Sequence, residues 1–308
     1  MGKRYYVTGG SGFVGSVLET LITSEAPGNV FIAPGAELDI RDANALEESI
    51  AHAAPDYVVH LAAQSFVPDA FKDPRGTLDV NFYGTLNVLS ALRATRFAGR
   101  MLFVGSGDMY GLVDEDELPV VESRALKPRN PYAVSKVAAE ALCYQWAQTE
   151  NIDVVMARPF NHIGPGQDTR FAIADFAAQV ARMKTQAAPP VLSAGDVDAA
   201  RDFTDVRDIA RAYLALLASG RRGETYNVCS GTSRTIRELI EMLGEIAALE
   251  VSIVKDPARY RPAEQKRVFG DTAKIRAHTG WAPTIDIRRT LEDTLDYWLE
   301  KAGNQHTA

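Results

Sequence analysis

The chain has 308 residues, 46% hydrophobic and 24% charged, which is the composition of a soluble globular protein with one large domain or two coupled ones. Its formal net charge of −7 argues against a nucleic-acid partner, which needs clustered Lys and Arg. The chain has two cysteines without metal-ligand spacing, which predicts no disulfide framework and no metal site. It has no signal-peptide pattern and no apolar run of membrane-spanning length, which predicts a cytoplasmic protein without a membrane partner.

The first half of the chain alternates short apolar runs with helix-length stretches. In one such stretch, Thr77–Thr95, leucines and Phe82 recur at helical spacing. This alternation predicts an α/β fold, a doubly wound parallel sheet with helices on both faces. The predicted strands are Tyr5–Val7, Val30–Ala33, Tyr57–Leu61, Met101–Val104 and Val154–Met156.

A glycine-rich turn, Thr8-Gly9-Gly10-Ser11-Gly12-Phe13-Val14-Gly15, follows the first predicted strand and opens a helix. Gly9 suits the tight turn, Gly12 lets the backbone approach a pyrophosphate, and Gly15 allows the helix to pack closely on the strand. The helix N-terminus, at Phe13 and Val14, would offer unpaired N–H groups to the phosphates. The turn therefore predicts a dinucleotide site on a Rossmann-type sheet.

The residue that would choose between NADH and NADPH is missing from its usual position. An Asp or Glu at the end of the second strand favours NAD and an Arg favours NADP, but here that strand ends at Ala33-Pro34-Gly35. Asp39 and Ile40 fall at the start of a predicted third strand, near where the adenine would lie. The predicted cofactor is thus NADPH or NADH, without preference.

Tyr132 and Lys136 lie four residues apart and would share one face of a helix over Pro131–Thr149. Asn130 suits the N-cap of that helix, and Pro131 suits its first position. A cation near a phenol lowers the tyrosine pKa from about 10 toward neutral, which would suit proton transfer in carbonyl–alcohol chemistry. Taken alone, the pair is more often a chance arrangement on a surface helix than a catalytic one.

The order of elements changes after about Arg158, where a Gly/Pro-rich loop begins. We predict a cofactor-binding domain over 1–158 and about 203–229, and a smaller substrate-binding lobe over about 159–202 and 230–308. The lobe would cover the ligand edge of the sheet. Its region and the neighbouring segment carry predicted helices at about Ala172–Lys184, Val206–Ala218, Ile236–Ala247 and Thr290–Leu299.

These features together resemble the extended short-chain dehydrogenase/reductase family over nearly the whole chain. In that family the Tyr is the general acid or base, the Lys holds the nicotinamide ribose and tunes the Tyr, and a Ser or Thr after the fifth strand, here Ser106, binds the substrate carbonyl. The residues that carry the resemblance are Gly9, Gly12, Gly15, His60-Leu61-Ala62-Ala63-Gln64, Asn81, Ser106, Tyr132 and Lys136.

The resemblance also assigns further residues to the cofactor site. Leu61, Ala62 and Ala63 would line the nicotinamide side, and Asn81 and Arg158 would belong to the same site. For Asn81 the alternative is an amide on a helix surface. The resemblance further implies a homodimer, because relatives pair the long helices that correspond here to about Thr77–Thr95 and Pro131–Thr149.

The two residues after Ser106 discriminate among the reactions of this family. Members that dehydrate a nucleotide sugar need an acid for the leaving C6 hydroxyl and a Glu that removes the C5 proton. Gly107 has no side chain, and Asp108 is one methylene shorter than Glu. Reduction or 4-epimerisation at one carbonyl is therefore favoured over dehydration. Asp108 is either a substrate contact in the catalytic group or a polar loop residue.

Three later segments match substrate-binding segments of the family. The resemblance implies that Asn161 contacts the sugar or diphosphate, that Arg201 and Arg261 contact phosphate, and that Glu264 accepts from ribose hydroxyls. Guanidinium groups pair bidentately with phosphate oxygens, which explains Arg at these positions. The segment Arg158-Pro159-Phe160-Asn161-His162-Ile163-Gly164-Pro165-Gly166-Gln167 most resembles the GDP-6-deoxy-D-mannose reductases and GDP-mannose 4,6-dehydratases.

The predicted function is NAD(P)H-dependent reduction of the C4 ketone of a GDP-4-keto-6-deoxy-D-mannose-type sugar, giving GDP-D-rhamnose. A nucleotide-sugar 4-epimerase would use the same Tyr, Lys and Ser, and a 4,6-dehydratase is a more distant alternative. A protein of another class, a non-catalytic dinucleotide sensor on the same fold, would lack turnover altogether.

Overall fold

A computed structural model of the protein describes residues 2–25, 27–35, 37–186, 188–256 and 265–304. Its centre is a six-stranded sheet in which every neighbouring pair of strands is parallel. The strands are numbered in chain order, and their spatial order across the sheet is β10 (Thr225–Val228), β5 (Asp153–Pro159), β4 (Arg100–Val104), β3 (Tyr57–His60), β1 (Arg4–Thr8) and β2 (Val30–Ile32). The predicted α/β fold with a doubly wound parallel sheet is confirmed.

Apolar side chains of the strands point alternately to the two faces of the sheet, so both faces are buried. Tyr6 and Val58 join a core with helices α2, α5 and α6, whereas Val7 and Val59 join a core with α1, α8 and α10. The helices over the sheet are α1 (Phe13–Glu25), α2 (Ala43–Ala53), α3 (Val67–Lys72), α4 (Pro74–Leu78), α5 (Gly84–Ala94), α6 (Pro131–Thr149), α8 (Val206–Ser219) and α10 (Ala273–Thr279).

A separate core lies among three helices of the C-terminal part, α7 (Ala172–Gln186), α9 (Ile236–Ala247) and α11 (Ile287–Asn304). Short strands border it: β6 (Asn161–Ile163) pairs with β9 (Phe203–Asp205), β7 (Val191–Ala194) with β12 (Ser252–Lys255), and β8 (Ala200–Arg201) with β11 (Arg234–Thr235) and β13 (Arg267–Val268). Ile275 and Trp281 instead pack in the core of the sheet. The predicted domain boundaries stay a prediction.

Most predicted helices are found within a few residues of their expected bounds, but the predicted helix Thr77–Thr95 is interrupted. The chain forms α4, then a π-helical turn over Asp79–Tyr83, then α5. Such a turn adds one residue to the helical path and is frequent at functional sites.

The predicted third strand at Asp39 is wrong. The Asp39 carbonyl accepts a hydrogen bond from Asp42 N (2.9 Å), and Asp42 caps the N-terminus of α2. The Asp39 carboxylate is bound by the Arg41 side chain, and Ile40 is buried. Local capping of α2 therefore replaces strand pairing in this segment.

The crossover in the strand order lies between β1 and β3, which are neighbours although β2 separates them in sequence. Their register pairs Thr8 with His60 at the carboxyl ends. In open α/β sheets, ligands bind in the crevice at such a point. The glycine turn after β1, residues 61–64 after β3 and residues 105–108 after β4 all follow strands at this edge.

Candidate active site

The glycine turn has the close backbone packing that a dinucleotide loop requires. Gly9 has φ +71°, and a Cβ on it would lie 2.9 Å from Ala62 N. A Cβ on Gly15 would lie 2.3 Å from the Gly10 carbonyl oxygen, so only glycine lets α1 begin so close to the turn. Because α1 begins at Phe13, its first-turn N–H groups have no acceptor within the helix. The turn fits a pyrophosphate, and its contact with the cofactor stays a prediction.

Helix α6 begins as the sequence predicts. Asn130 Oδ1 accepts a hydrogen bond from Ala133 N (2.7 Å), and Pro131 occupies the first helical position. Tyr132 therefore lies in the first turn and Lys136 one turn later. Both side chains are buried, at 9% and 3% exposure, so the alternative of a surface pair is wrong.

The environment of Tyr132 raises its pKa above the usual value of the phenol. Burial is the main cause, the negative charge of Asp108 adds to it, and a hydrogen bond with Ser106 acts in the opposite direction. The predicted lowering of this pKa toward neutral is therefore wrong for the protein by itself, because burial and the Asp108 charge raise it and Lys136 is not among the groups that shift it. A phenol that keeps its proton is suited to act as a proton donor.

Lys136 reaches from α6 to the end of β4. Its Nζ donates a hydrogen bond to the Val104 carbonyl oxygen (2.8 Å) and lies 5.2 Å from the centroid of the Phe103 ring. Burial lowers the pKa of Lys136 to about 8. The cation is thus held beside the strand that leads to Ser106.

Ser106 begins a short 3₁₀ turn over Gly107–Tyr110, and its Oγ accepts from Asp108 N (3.2 Å). Asp108 is exposed to water, yet many protein atoms surround its carboxyl group, and this desolvation raises its pKa. The positive charge of Arg201 and a hydrogen bond with Asn130 oppose that increase. The structure therefore brings Ser106, Asp108, Tyr132 and Arg201 into one cleft.

The position of Gly107 is tightly packed against Phe160. A Cβ on Gly107 would lie 3.2 Å from Cγ of the Phe160 ring, and a Cβ on Gly270 would lie 2.8 Å from Cε2 of the same ring. Phe160 is only 6% exposed. A side chain at position 107 would therefore require the ring to shift by a few tenths of an ångström.

Asn81 is buried, at 1% exposure, so the alternative of a surface amide is wrong. Its Oδ1 accepts from Gln64 N (2.8 Å), and its Nδ2 donates to the Gln64 carbonyl (3.0 Å) and to Ser135 Oγ (2.8 Å). Asn81 therefore fixes the segment after Leu61, Ala62 and Ala63. Direct contact of these residues with the cofactor stays a prediction.

Arg158 has a structural environment that the sequence did not indicate. Its guanidinium donates to the Glu140 carboxylate at 2.5 and 2.9 Å, to Tyr110 OH (2.8 Å) and to the Glu122 carbonyl (3.1 Å). Arg158 and Glu140 are buried, with side-chain exposures of 7% and 8%. These contacts engage all three nitrogens of the guanidinium, and they give the predicted cofactor role no support.

The predicted substrate residues are only partly within the described structure. Asn161 is exposed, and its Nδ2 donates to the Asp202 carbonyl (3.2 Å). Arg201 donates to its neighbour Ala200 O (2.8 Å) and is close enough to Asp108 for the two charges to interact. Arg261 and Glu264 lie outside the described residues.

Several buried polar residues near the site were missed as functional candidates. Thr8 and His60 each end an apolar strand, Thr85 interrupts an apolar helix face, and Ser135 follows Tyr132 by three residues. A polar residue at the end of a buried strand could have identified Thr8 and His60 as candidates from the sequence. Their mutual contacts, however, join distant segments and are visible only in the fold.

The described residues contain neither a metal-binding cluster nor a membrane-spanning helix. No group of three or more His, Cys, Asp or Glu side chains there is arranged to hold a metal ion. No helix in that part of the chain has the length and apolar character needed to cross a membrane.

Comparisons with known proteins agree with the predicted resemblance. A family model described as GDP-mannose 4,6 dehydratase matches residues 35–294. The GDP-6-deoxy-D-mannose reductase of Pseudomonas aeruginosa is 49% identical over 306 residues, which cover 99% of this chain and 100% of that protein. The similarity thus extends over the glycine turn, the cleft and the C-terminal core.

Solved structures show the same similarity in three dimensions. The structure of RMD from Pseudomonas aeruginosa complexed with NADPH has a TM-score of 0.91 and 47% identity, covering 97% of this chain and 99% of that one. The UDP-glucose 4-epimerase of Thermus thermophilus in complex with NAD has a TM-score of 0.83 and 30% identity, covering 96% and 98%. These matches confirm the Rossmann-type fold and the resemblance to nucleotide-sugar enzymes.

Proposed function

The chain belongs to the GDP-mannose 4,6-dehydratase family, and within that family we propose that it is a reductase. It uses NADPH, or NADH, to reduce the C4 ketone of GDP-4-keto-6-deoxy-D-mannose to GDP-D-rhamnose. The observation that carries the proposal is the arrangement around Tyr132, which pairs one phenol with Ser106 while position 107, packed against the Phe160 ring, has no side chain to serve as a second acid. Such a site is complete for reduction of a ketone and incomplete for dehydration.

In the proposed reaction, Tyr132 donates its proton to the C4 oxygen. Its raised pKa keeps the phenol protonated at neutral pH, and the Ser106 hydroxyl can polarise the same oxygen as a preorganised donor. The bound dinucleotide supplies the hydride. Lys136, one helical turn from Tyr132, provides a positive charge that favours the phenolate left after proton transfer.

On the substrate side, we propose that Arg201 binds the diphosphate and that Asn161 contacts the sugar. Arg201 and Asp108 approach each other across the cleft, so a sugar phosphate held by Arg201 would bring its hexose toward Asp108 and Tyr132. Asp108 would accept a hydrogen bond from a sugar hydroxyl. Arg261 and Glu264 remain predicted ligands of the nucleotide.

Incubation of the purified protein with GDP-4-keto-6-deoxymannose and NADPH, with NADH in parallel, tests the proposal. We expect one reduced cofactor to be consumed per sugar and GDP-D-rhamnose to be identified by NMR. Interconversion of C4 epimers without net cofactor consumption would instead indicate an epimerase. Conversion of GDP-mannose to its keto sugar would indicate a dehydratase, and dinucleotide binding without any turnover would indicate a sensor.

We also propose that the protein is a homodimer formed through the helical segment 74–94 and α6. The support is a set of large apolar side chains on these elements that remain exposed, Tyr83 at 53%, Val134 at 45% and Tyr144 at 54%. Burial of such a patch is favourable. The cytoplasmic location and the lack of nucleic-acid and membrane partners stay predictions from the sequence.

A further inference from the structure

We propose that His60 is a positioning residue, which couples the loop after β3 to the first turn of α6 through a chain of buried hydrogen bonds and so aligns Tyr132 with the nicotinamide side of the cleft. The inference rests on the proposed reductase function for its kinetic consequence. The coupling itself is a property of the protein alone. In the described structure His60 forms no hydrogen bond with Tyr132 or Ser106, so any effect on them must pass through its neighbours.

The first half of the chain of hydrogen bonds runs from β1 to the π-helical turn. Ala62 N donates to Thr8 Oγ1 (3.3 Å), and Thr8 Oγ1 is 2.8 Å from His60 Nδ1. On the other side of the ring, His60 Nε2 is 3.0 Å from Thr85 Oγ1, which donates to the Asn81 carbonyl (2.6 Å). Exposure of Thr8, His60 and Thr85 does not exceed 1%.

The second half runs from the π-helical turn to Tyr132. The Asn81 amide holds both backbone polar groups of Gln64 and also donates to Ser135 Oγ (2.8 Å). Ser135 Oγ in turn donates to the Tyr132 carbonyl (2.6 Å). Asn81 is therefore the junction between the loop after β3 and the helix that carries Tyr132.

Counting protons assigns a single tautomer to His60. The Thr85 hydroxyl has one proton, and it goes to the Asn81 carbonyl, so Thr85 must accept from His60 Nε2–H. Nδ1 then accepts from Thr8, whose oxygen accepts from Ala62 N. With the ring neutral, each bond in the chain has one donor and one acceptor, and protonation of Nδ1 would take away its role as the acceptor of the Thr8 hydroxyl proton.

The surroundings of His60 keep the ring neutral. Burial lowers the pKa of His60 to about 3, and the positive charge of Lys136 contributes in the same direction. Phe103 packs beside the ring, 6.3 Å between centroids. A buried polar chain that is fully satisfied holds its members in one arrangement, whereas loss of one hydroxyl leaves its partners unpaired.

The test removes one hydroxyl from the middle of the chain. Thr85→Val keeps the shape of the side chain but removes the acceptor for His60 and the donor for Asn81. Thr294→Val is the matched control, since Thr294 is also buried in a helix and its hydroxyl donates to the carbonyl four residues earlier at 2.6 Å. Thr85→Ser restores the hydroxyl and should restore the wild-type behaviour.

Kinetics of keto-sugar reduction give the first readout. We expect Thr85→Val to lower kcat about tenfold with KM for the sugar changed by less than about twofold, because misalignment of reacting groups affects the chemical step. The isotope effect with cofactor deuterated at the transferred position should rise, which a loss of folded protein would not cause. Equal kcat and isotope effect for Thr85→Val and Thr294→Val would overturn the proposal.

Amide hydrogen exchange of the protein without ligands gives the second readout and does not depend on activity. Thr85→Val should accelerate exchange in residues 61–64 and in residues 132–136 together, and Thr294→Val should accelerate neither. Ser135→Ala, a small change at the other end of the chain, should reproduce the effect if Thr85→Val folds poorly. Unchanged exchange in either segment would contradict the coupling, whereas inactivity of the wild type would contradict only the proposed function.

Discussion

Tyr132 is held in an environment that favours the neutral form of its phenol, and this protonation state bears on its role in catalysis. Burial and the carboxylate of Asp108 raise its pKa, and the hydrogen bond with Ser106 only partly offsets them. A protonated phenol can give a proton to a ketone oxygen, whereas oxidation of an alcohol would need the phenolate. At the scale of the residue, the protein by itself therefore holds Tyr132 in the protonated form from which ketone reduction would start.

Replacing Tyr132 by Phe removes the proton donor and leaves the ring. We expect the rate of keto-sugar reduction to fall by roughly two or more orders of magnitude, the usual scale for general acid–base catalysis. Steady-state consumption of NADPH measures it. Tyr297→Phe removes a phenol from α11, where Tyr297 packs edge-on against Trp298, and should leave the rate unchanged. Near-normal turnover of Tyr132→Phe would contradict the assignment of Tyr132 as the proton donor.

Lys136 should set the alkaline limit of activity. Its pKa of about 8 means that the ammonium is charged below this pH and loses its proton above it. We therefore expect kcat/KM of the wild type to decline as pH rises through about 8, since the positive charge beside Tyr132 is lost. Lys136→Met has no charge to lose, so its much lower kcat/KM should show no such decline. A wild-type profile that stays flat up to the ordinary lysine pKa of about 10.4 would contradict this origin.

At the scale of the element, a buried ion pair joins helix α6 to the sheet. Glu140 lies eight residues after Tyr132, and its carboxylate binds Arg158 of β5. Arg158 also holds Tyr110, the last residue of the turn that begins after Ser106. One guanidinium thus connects the helix of Tyr132 with the turn of Asp108.

Breaking this ion pair should be costly. Glu140→Gln would leave the Arg158 charge buried and uncompensated, and we expect the free energy of unfolding to fall by about 3–5 kcal/mol. Glu150→Gln at the end of the same helix is the control. It breaks the exposed pair with Arg93, 3.2 Å apart, and should cost less than about 1 kcal/mol. Urea denaturation measures the free energy of unfolding of both variants. An equal decrease in the two variants would mean that burial of the ion pair does not increase its contribution to stability.

The elements that the sequence predicted well are those defined by local chemistry. Asn130 and Pro131 place the start of α6 because a cap and a fixed φ act within one turn. The interruption of the helix around Asn81 could not be predicted in this way, because it accompanies an Asn81 side chain bound to Gln64, seventeen residues earlier. The strand expected at Asp39 failed because helix capping by Asp42 took precedence over a short apolar pattern.

For the whole molecule, the cofactor turn and the pair Tyr132 and Lys136 were accessible from sequence because each is a short motif. The chain through His60 and the ion pair of Arg158 were not, because their members come from different strands and helices. The pKa of Tyr132 was predicted with the wrong sign for the same reason. Burial is a property of the fold, and it is the main cause of the raised pKa of Tyr132.

The proposed homodimer is the prediction that belongs to the whole molecule. Light scattering after size exclusion should give twice the chain mass, and Tyr144→Arg, which places a charge in the exposed patch of α6, should shift it toward one chain. Val254→Arg changes an equally exposed apolar side chain, 52% against 54%, on β12, away from the proposed interface. The proposal fails if the wild type is monomeric or if both variants behave alike.

The packing of Phe160 near Gly107 and Gly270 bears on whether an acid could be introduced at position 107 to change the reaction. The Cβ of an acid introduced at Gly107 would lie 3.2 Å from the Phe160 ring, so the ring would have to shift by a few tenths of an ångström, and Gly270 also lies close to this ring. Overpacking of this kind typically costs about 1–3 kcal/mol. A smaller residue at position 160 would relieve this contact, so the acid should be tolerated better together with such a change than by itself.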